Sequence, residues 1–459
     1  MPDAIKTWFR SIALSRTRIS IQDALRIAVC TVRANCPDIL IGICLACFVF
    51  LGTYRIAQQI NPVVFEYGTT KHPVVLEHGT TKTDGIGLNT ENIWFDGDLP
   101  KMMQMLTRRF AHYPGFTVKH PLFWPTGCVV SYSLRILGVE SLVQLRAFAA
   151  VVAAVWMGMM FMLFRIITGR RLDAAILSIL AVSSASAMFW LPVPEVRALG
   201  AVTIIMGLCL AALRDQRVYS SVSYVLVSAA TLSMTVTNWM VGILVTFIGQ
   251  SWWRALQLTV NAFFVVSILW GIQKYFIPSA QFFLAFNHAD EAFVLDPFSG
   301  GPLRVISSFV FHTMVMPAIQ VLSTSDPLWY GMSTQHSMPG SGTLWGSIAV
   351  VLWIALLVIG TYGLIVVRQY RVLRMVLAIA IVGQLALHLL YGHETFLHSM
   401  HWLPLLLSVV ALGTLTRLRM LTLILSVMLV ITCGINNGMQ LMKAIETVDQ
   451  IAMRADSFK

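Results

Sequence analysis

Charged side chains are scarce in this 459-residue chain: Asp, Glu, Lys and Arg make up 12% of it, while 57% of its residues are hydrophobic. A soluble domain needs polar residues to cover its outside, so this composition excludes an ordinary soluble protein. A lipid bilayer accepts such a surface, provided that helices satisfy the backbone hydrogen bonds internally. The sequence therefore predicts an all-α polytopic membrane protein.

Acidic residues are fewer than basic ones, 21 against 32, and the formal net charge is +11. The basic residues stand in short clusters between apolar stretches, which is typical of cytoplasmic loops rather than of a nucleic-acid-binding surface. We therefore predict no nucleic-acid partner. The seven cysteines form no evident disulfide framework, and Cys44 and Cys47 lie inside an apolar run, where packing explains them better than redox or metal chemistry.

The N-terminal region lacks the early apolar run of a cleavable signal peptide, because hydrophobic residues become continuous only near Pro37. Six Lys and Arg residues precede that point. They predict a cytoplasmic, basic amphipathic lead at 1–36 and a cytoplasmic N-terminus. The transmembrane domain is expected at 37–438, and a periplasmic C-terminal tail at 439–459.

Arginine clusters between the apolar runs determine the expected topology, because short cytoplasmic loops carry an excess of positive charge. If every cluster lies inside, the chain crosses the membrane eleven times and leaves long periplasmic loops at 58–144 and 277–343. A span at 122–137 would move all later clusters outside, so we expect a helix lying in the interface there. The expected spans are near 39–56, 145–167, 172–191, 198–213, 219–236, 239–253, 255–276, 344–367, 375–391, 402–416 and 420–437.

A short acidic motif in the first outer loop is the first candidate site. Asp96 and Asp98 flank Gly97, and the apolar residues that follow recur at helical spacing with basic residues on the other face. This pattern predicts an amphipathic helix on the outer membrane surface. Asp98 stands at the expected N-cap with Pro100 in the first turn, and it is equally a candidate catalytic carboxylate.

Other ionisable and polar residues are expected on the same outer face. Lys119 and His120 stand where a loop re-enters the interface, which suits a lipid phosphate. Glu195 and Arg197 lie between two apolar spans, where charges are usually functional or paired with each other. Asn238 lies in the turn between two short spans.

The last outer turn carries His393, Glu394, His398 and His401 within nine residues. In a helix, Glu394, His398 and His401 would share a face and His393 would lie to one side. Phosphate or sugar contacts are favoured over zinc because the spacing matches no zinc motif, although a divalent metal stays open. Weaker candidates for carbohydrate recognition in the large loop are residues 287–291, Asp296, Trp329 and Tyr330.

The order of these motifs resembles the GT-C superfamily of membrane glycosyltransferases, which use polyprenyl-phosphate-linked sugars. The resemblance runs from about residue 37 to 437 and implies a GT-C-like bundle in the bacterial inner membrane with a periplasmic active site. The motifs that carry it are Phe95-Asp96-Gly97-Asp98, His120-Pro121-Leu122-Phe123, Pro194-Glu195, Thr237-Asn238-Trp239 and the segment from Glu394 to Trp402.

The resemblance also implies a mechanism, in which a carboxylate takes the proton from an acceptor hydroxyl and the sugar is transferred with inversion. Asp98 is favoured over Asp96 as this base because it leads directly into the amphipathic helix. The implied partners are the lipid bilayer, a polyprenyl-phosphate sugar as donor, and a glycan, lipid or secreted protein as acceptor. The implied phosphate-binding residues are Lys119, His120, His393, His398 and His401, and the implied sugar- or acceptor-binding residues are Glu195, Arg197, Asn238 and Glu394.

The sequence leaves two other functions open. An O-antigen-type ligase or polymerase is also multi-span with a large outer loop, but it would not need the early acidic motif. A lipid or sugar transporter would show two related halves, broken helices and charges near the membrane midplane. The sequence shows no convincing half-to-half repeat.

Overall fold

The computed structural model describes residues 21–66, 92–108, 114–215, 219–285, 294–325 and 328–457, and most of these residues are helical. The helices that are apolar or carry site residues are numbered in chain order. They are α1 (Ile21–Gln59), α2 (Leu99–Thr107), α3 (Pro114–Lys119), α4 (Phe123–Ile136), α5 (Ser141–Thr168), α6 (Arg171–Ser183), α7 (Ala185–Trp190), α8 (Val196–Arg214), α9 (Ser221–Met234), α10 (Trp239–Gly249), α11 (Trp252–Phe276), α12 (Pro302–Ser307), α13 (Leu344–Val366), α14 (Arg371–Leu390), α15 (Ser399–Gly413) and α16 (Arg419–Ser457).

In the described part of the chain, eight helices are long and apolar enough to cross a membrane, and the chain is a multi-pass membrane protein. They correspond to eight of the eleven expected spans. Three expected spans differ, because two form shorter helices and one is broken. The eight segments are Cys36–Gln59, Ser141–Thr168, Val196–Arg214, Trp252–Phe276, Leu344–Val366, Arg371–Leu390, Thr395–Gly413 and Arg419–Arg454.

The expected span at 172–191 is two helices, α6 and α7, separated at Ser184. The Ser184 hydroxyl accepts a hydrogen bond from the amide of Ala187 and so caps α7. The amides of Ala185 and Ser186 donate to the carbonyls of Met314 and Thr313 instead of to the preceding turn. The break is fully buried, and such a break is tolerated in a membrane protein where other backbone satisfies it.

The two short helices α9 and α10 meet at the turn that the sequence predicts between residues 235 and 238. A 3-10 helix, Val236–Asn238, connects them. Their 14 and 11 residues are shorter than the roughly 20 residues that a full crossing requires. The predicted turn is therefore present, but each of the two helices is shorter than the complete crossing that was expected.

Side-chain contacts gather the expected inner residues at one end of the bundle, which we call the arginine end. Arg165 and Arg171 both pair with Asp38, at 3.1 and 2.6 Å. Arg419 binds the buried Asp173 through two hydrogen bonds of 2.6 and 2.7 Å. The predicted grouping of these arginines is confirmed as a shared end of the bundle, and the side of the membrane on which it lies stays a prediction.

The amphipathic helix after Asp98 exists as α2, and its apolar face packs on the protein rather than on a lipid surface. Leu99 and Met102 are buried, and α2 contacts α4, α5 and the 3-10 helix Pro62–Phe65. The expected interfacial helix at 122–137 is α4, whose 14 residues are too few to span.

The segments expected on the outer side keep the name outer below, and that side of the membrane stays a prediction. The large outer loop contains an antiparallel hairpin that the all-α expectation missed. Strands β1 (Gln320–Ser325) and β2 (Leu328–Ser333) pair so that Gln320 lies opposite Ser333. The amide of Met332 also donates to the carbonyl of Ile93, which joins the hairpin to the first outer loop.

The predicted C-terminal tail at 439–459 continues α16 as a helix to Ser457. Asn61 donates to Asp449 at 3.0 Å, and Arg454 donates to the Tyr330 hydroxyl at 3.1 Å with its guanidinium 5.5 Å from the ring centre. These contacts bring the end of α16 to the same end of the bundle as the first outer loop and the hairpin.

Candidate functional site

The turn that carries the acidic motif has an unusual backbone. Asn92, Phe95 and Asp96 all have positive φ angles, of 59°, 47° and 59°. A bulky residue such as Phe95 rarely adopts this region, whereas Asn and Asp tolerate it better. Strain of this kind persists only where surrounding structure enforces it, and it is concentrated at functional sites.

An aromatic cluster holds this turn in place. The Phe95 ring packs edge-on against Phe189, Trp190 and Phe396, with ring centres 5.5 to 6.3 Å apart. The indole of Trp94 donates to the Phe189 carbonyl, and that of Trp190 donates to the Phe396 carbonyl. The cluster therefore joins the first outer loop, α7 and the last outer turn, which are far apart in sequence.

The motif directs its two carboxylates into different surroundings. Asp98 occupies the N-cap position of α2, but its side chain does not cap the helix. It forms an ion pair with Lys101 at 2.6 Å instead. Burial raises the pKa of Asp98, but the Lys101 ammonium and the charge of Arg197 together leave that pKa below its usual value. Asp98 is thus an ionised partner of Lys101 and a weak proton acceptor.

Asp96 faces a small cavity of about 40 Å³ that it shares with Asn92, Ser333, His393 and Glu394. Asn92 donates to one Asp96 oxygen at 3.0 Å. Burial raises the pKa of Asp96, and the nearby charge of Asp98 raises it further. The charges of His393 and Arg197 lower this pKa, but they offset the rise only in part. A carboxylate in this state accepts a proton more readily than an ion-paired one.

Glu394 is buried on the other side of this cavity. The hydroxyls of Ser333 and Thr334 donate to its two oxygens at 2.6 and 3.1 Å. Burial nevertheless raises the pKa of Glu394 to about 7, and the nearby charge of Asp96 contributes. The cavity therefore joins two carboxyl groups that both resist ionisation.

The raised pKa of Glu394 predicts a pH-dependent stability. Between its ordinary value of 4.5 and about 7, the folded protein holds a proton that the unfolded chain releases, so stability falls as pH rises through this window. The loss is on the order of 3 kcal/mol for a shift of this size. Thermal unfolding of wild type and Glu394→Gln from pH 4.5 to 8 tests this. We expect the variant to gain relative stability with pH, and a constant difference between the two proteins would contradict the assignment.

Arg197 is the centre of a second group of polar residues. Its Nη1 lies 2.7 Å from Oε2 of Glu195, and both residues are buried. Its Nε is 3.3 Å from Nδ1 of His398. The predicted pairing of Glu195 with Arg197 is confirmed. Burial raises the pKa of Glu195, although Arg197 opposes this effect.

Several buried polar atoms beside Arg197 have no hydrogen-bond partner among the described residues. An unpaired polar atom in such a place costs about 1–3 kcal/mol and calls for a bound molecule or water. His388 stacks on His398 with ring centres 5.0 Å apart, and the His398 and His401 rings lie 6.2 Å apart. The atoms concerned are Oε1 of Glu195, Nδ2 and Oδ1 of Asn238, Nδ1 of His388, Oγ of Ser399 and Nε2 of His401.

Gly200 allows Asn238 and His401 to approach α8 closely, one turn beyond Arg197. An alanine Cβ at this position would lie 2.8 Å from Nδ2 of Asn238 and 2.9 Å from Nε2 of His401. Both side chains would have to move away from the Arg197 group.

We expect Gly200→Ala to disturb this group and to destabilise the fold by about 1–3 kcal/mol, as overpacking does. The measurement is thermal unfolding in lipid nanodiscs. Gly158→Ala is the matched control, because a Cβ there meets open space. Its stability should be unchanged or slightly higher, since Ala favours helix more than Gly. Equal thermal stability of the two variants would contradict the close approach of Asn238 and His401 to Gly200.

The expected phosphate ligands Lys119 and His120 are adjacent to this group but differ from each other. His120 is buried, and its Nδ1 lies 2.9 Å from the carbonyl of Met234, to which it must donate. Burial, to which the charge of Arg197 adds, lowers the pKa of His120 to about 3. This imidazole is neutral and holds the loop to the turn before Asn238, whereas Lys119 is exposed.

The last outer turn does not present its residues as one helical face. A 3-10 helix, Thr395–His398, precedes α15. Glu394 consequently faces Ser333 and the cavity, while His398 and His401 face the Arg197 group. His393 lies apart from both histidines and pairs with Asp296 at 2.6 Å.

Sequence reasoning missed three contributors to the site. His388 lies in the last turn of the apolar helix α14, Ser333 is the last residue of a strand that was not predicted, and Thr334 follows it. The only sequence signal for His388 was an ionisable residue in an expected span, which by itself marks a functional candidate. Residues 287–291 lie outside the described part of the chain.

Among the described residues, no group of three or more His, Cys, Asp or Glu side chains is arranged to hold a metal ion. Comparison of the chain with protein-family models, with curated proteins and with solved structures finds no match. The class that the fold defines is a multi-pass α-helical membrane protein with a polar site at the opposite end of the bundle from the arginine end.

Proposed function

We propose that this protein is a GT-C-type glycosyltransferase of the bacterial inner membrane, which transfers a sugar from a polyprenyl-phosphate donor to an acceptor hydroxyl on the periplasmic face. The observation that carries the proposal is the carboxyl group of Asp96, which lines the cavity within electrostatic reach of Arg197, together with the unpaired polar atoms around Arg197. Within the described residues, Asp96 has no cationic partner in direct contact. One side of the site can accept a proton, and the other can bind an anion.

The reaction follows from the presence of a proton acceptor on one side of the site and anion-binding groups on the other. The acceptor oxygen attacks C1 of the sugar while its proton passes to Asp96. The bond between C1 and the phosphate oxygen breaks, its electron pair stays on the phosphate, and the configuration at C1 inverts. Arg197, His398, His401 and Asn238 stabilise the charge that develops on the leaving phosphate.

The proposed mechanism changes four of the assignments made from sequence. Asn238 moves from sugar or acceptor binding to the phosphate. Asp96 replaces Asp98 as the favoured base, because Asp98 is held by Lys101. Arg197 moves from sugar positioning to phosphate binding, because it contacts His398. His393 moves from the phosphate to the acceptor side, where it joins Glu394, because both line the cavity beside Asp96.

Purified protein in lipid nanodiscs, given a panel of radiolabelled polyprenyl-phosphate sugars and a membrane extract as acceptor source, provides the test. Release of polyprenyl phosphate from one donor, lost in Asp96→Asn, would support the proposal and identify the sugar. Parallel reactions with Mg²⁺ or Mn²⁺ and with EDTA show whether a divalent metal is required. Failure of every donor would favour the ligase, polymerase or transporter alternatives.

A further inference from the structure

The cavity beside Asp96 is bounded on its outer side by an exposed aromatic ring. Phe298 lines the cavity, yet 57% of its surface is exposed. It belongs to a short 3-10 helix, Pro297–Ser299, in the large outer loop. An exposed aromatic ring thus lies at the mouth of a cavity that also contains the carboxyl groups of Asp96 and Glu394.

Asp296 links the backbone of Phe298 to the side chain of His393. One Asp296 oxygen accepts from the amide of Phe298 at 2.8 Å, and the other lies 2.6 Å from Nδ1 of His393. The hydrogen bond from the Phe298 amide and the charge of His393 lower the pKa of Asp296, so it stays ionised. The Phe298 and His393 rings lie 5.5 Å apart at 32°, and together they form a platform beside the cavity.

We propose that this cavity and the Phe298–His393 platform bind a carbohydrate acceptor, with one hydroxyl in the cavity and the sugar ring against Phe298. This inference rests on the proposed function and names the acceptor class for it. The cavity of about 40 Å³ has room for a hydroxyl or hydroxymethyl group, since roughly 10–15 Å³ of such space is enough for one water-sized group. Asp96 and Glu394 offer the oxygens that such a group requires.

The cavity with its carboxyl groups and the Phe298–His393 platform together favour a sugar over a protein or lipid acceptor. A sugar ring presents apolar C–H groups to an aromatic face and hydroxyls at its edge to carboxylates. A serine side chain has a hydroxyl but no ring, and it would leave Phe298 exposed. A phospholipid headgroup carries an anionic phosphate, which carboxylates repel, and offers no ring face for Phe298.

Linkage analysis of the labelled product is the first test. The donor identified in the nanodisc assay is incubated with wild type and membrane extract, and the product is permethylated and analysed. We expect the label to be linked glycosidically to another sugar. Label on a serine or threonine, or on a lipid headgroup, would overturn the carbohydrate acceptor but leave the glycosyltransferase intact. Absence of donor cleavage would overturn the proposed function itself.

Acceptor kinetics provide the second test, with the acceptor glycan isolated from the membrane extract as probe. Phe298→Ala should raise the acceptor KM about tenfold, as expected for loss of one aromatic contact, with a smaller effect on kcat. Phe298→Trp should restore binding. Leu303→Ala, an exposed residue of the same loop outside the cavity, is the matched control. An unchanged KM in Phe298→Ala would overturn the platform.

Discussion

Asp96→Asn should lower sugar transfer by about 10²–10⁴-fold without unfolding the protein, because it removes the group that accepts the hydroxyl proton. Asn tolerates the positive φ at this position as well as Asp does, so the backbone of the turn should be kept. Asn92 can still donate to the amide oxygen. The loss should therefore appear in kcat, with the donor KM little changed.

Asp98→Asn is the matched control for this prediction, since it removes a carboxylate two residues away in the same motif. Its main effect should be loss of the pair with Lys101, both partners of which are about one-third exposed. Such pairs contribute about 0–1 kcal/mol, so the loss of activity should be much smaller than for Asp96→Asn. If Asp98→Asn abolished transfer and Asp96→Asn did not, the base would be Asp98, as the sequence alone favoured.

Arg197→Gln is expected to cause the second large loss, because it removes the guanidinium that faces the leaving phosphate. Transfer should fall at least about 10²–10³-fold, the usual cost of losing one contact to a developing oxyanion. The donor KM should rise as well, because the phosphate is charged before and after transfer. Arg197→Lys should recover little, since an ammonium cannot contact Glu195 and His398 together in the way that the planar guanidinium does.

The single Arg197 variant leaves Glu195 buried without its partner, and removal of one member of a buried pair costs about 3–5 kcal/mol. A poorly folded protein would make the activity loss uninformative. The double variant Glu195→Gln/Arg197→Gln removes both charges and should fold better than the single one. If the double variant folds and still transfers sugar at the wild-type rate, Arg197 does not bind the phosphate.

Several individual residues show how far the sequence could lead. The grouping of Arg165, Arg171 and Arg419 followed from the charge rule, because positive residues flank every apolar run on one side. The helix after Asp98 followed from apolar spacing, and the turn at Asn238 from the need to cross twice between two arginines. These are local patterns, and each is visible within a short stretch of chain.

The site could be predicted only as a set of residues on one face. Asp96, Glu195, Asn238 and His401 were all named from sequence, but most of their contacts were not. Whether Asp98 pairs with Lys101, or Glu394 with Ser333, depends on side-chain directions that the strained turn and the 3-10 helix before α15 determine. Neither feature has a sequence period that would reveal it.

The sequence by itself thus determined the class of this protein, the ends of the bundle and the candidate residues. The reason is that the length of an apolar run and the charges beside it can be read within a short stretch of sequence. Only the tertiary structure decided that Asp96 faces a cavity while Asp98 faces a lysine, and that Arg197 lies among histidines from two helices. The physical reason is that an aromatic cluster contributed by three distant segments positions the acidic motif. Contacts between residues as far apart as Phe95 and Phe396 leave no pattern in any one stretch of chain.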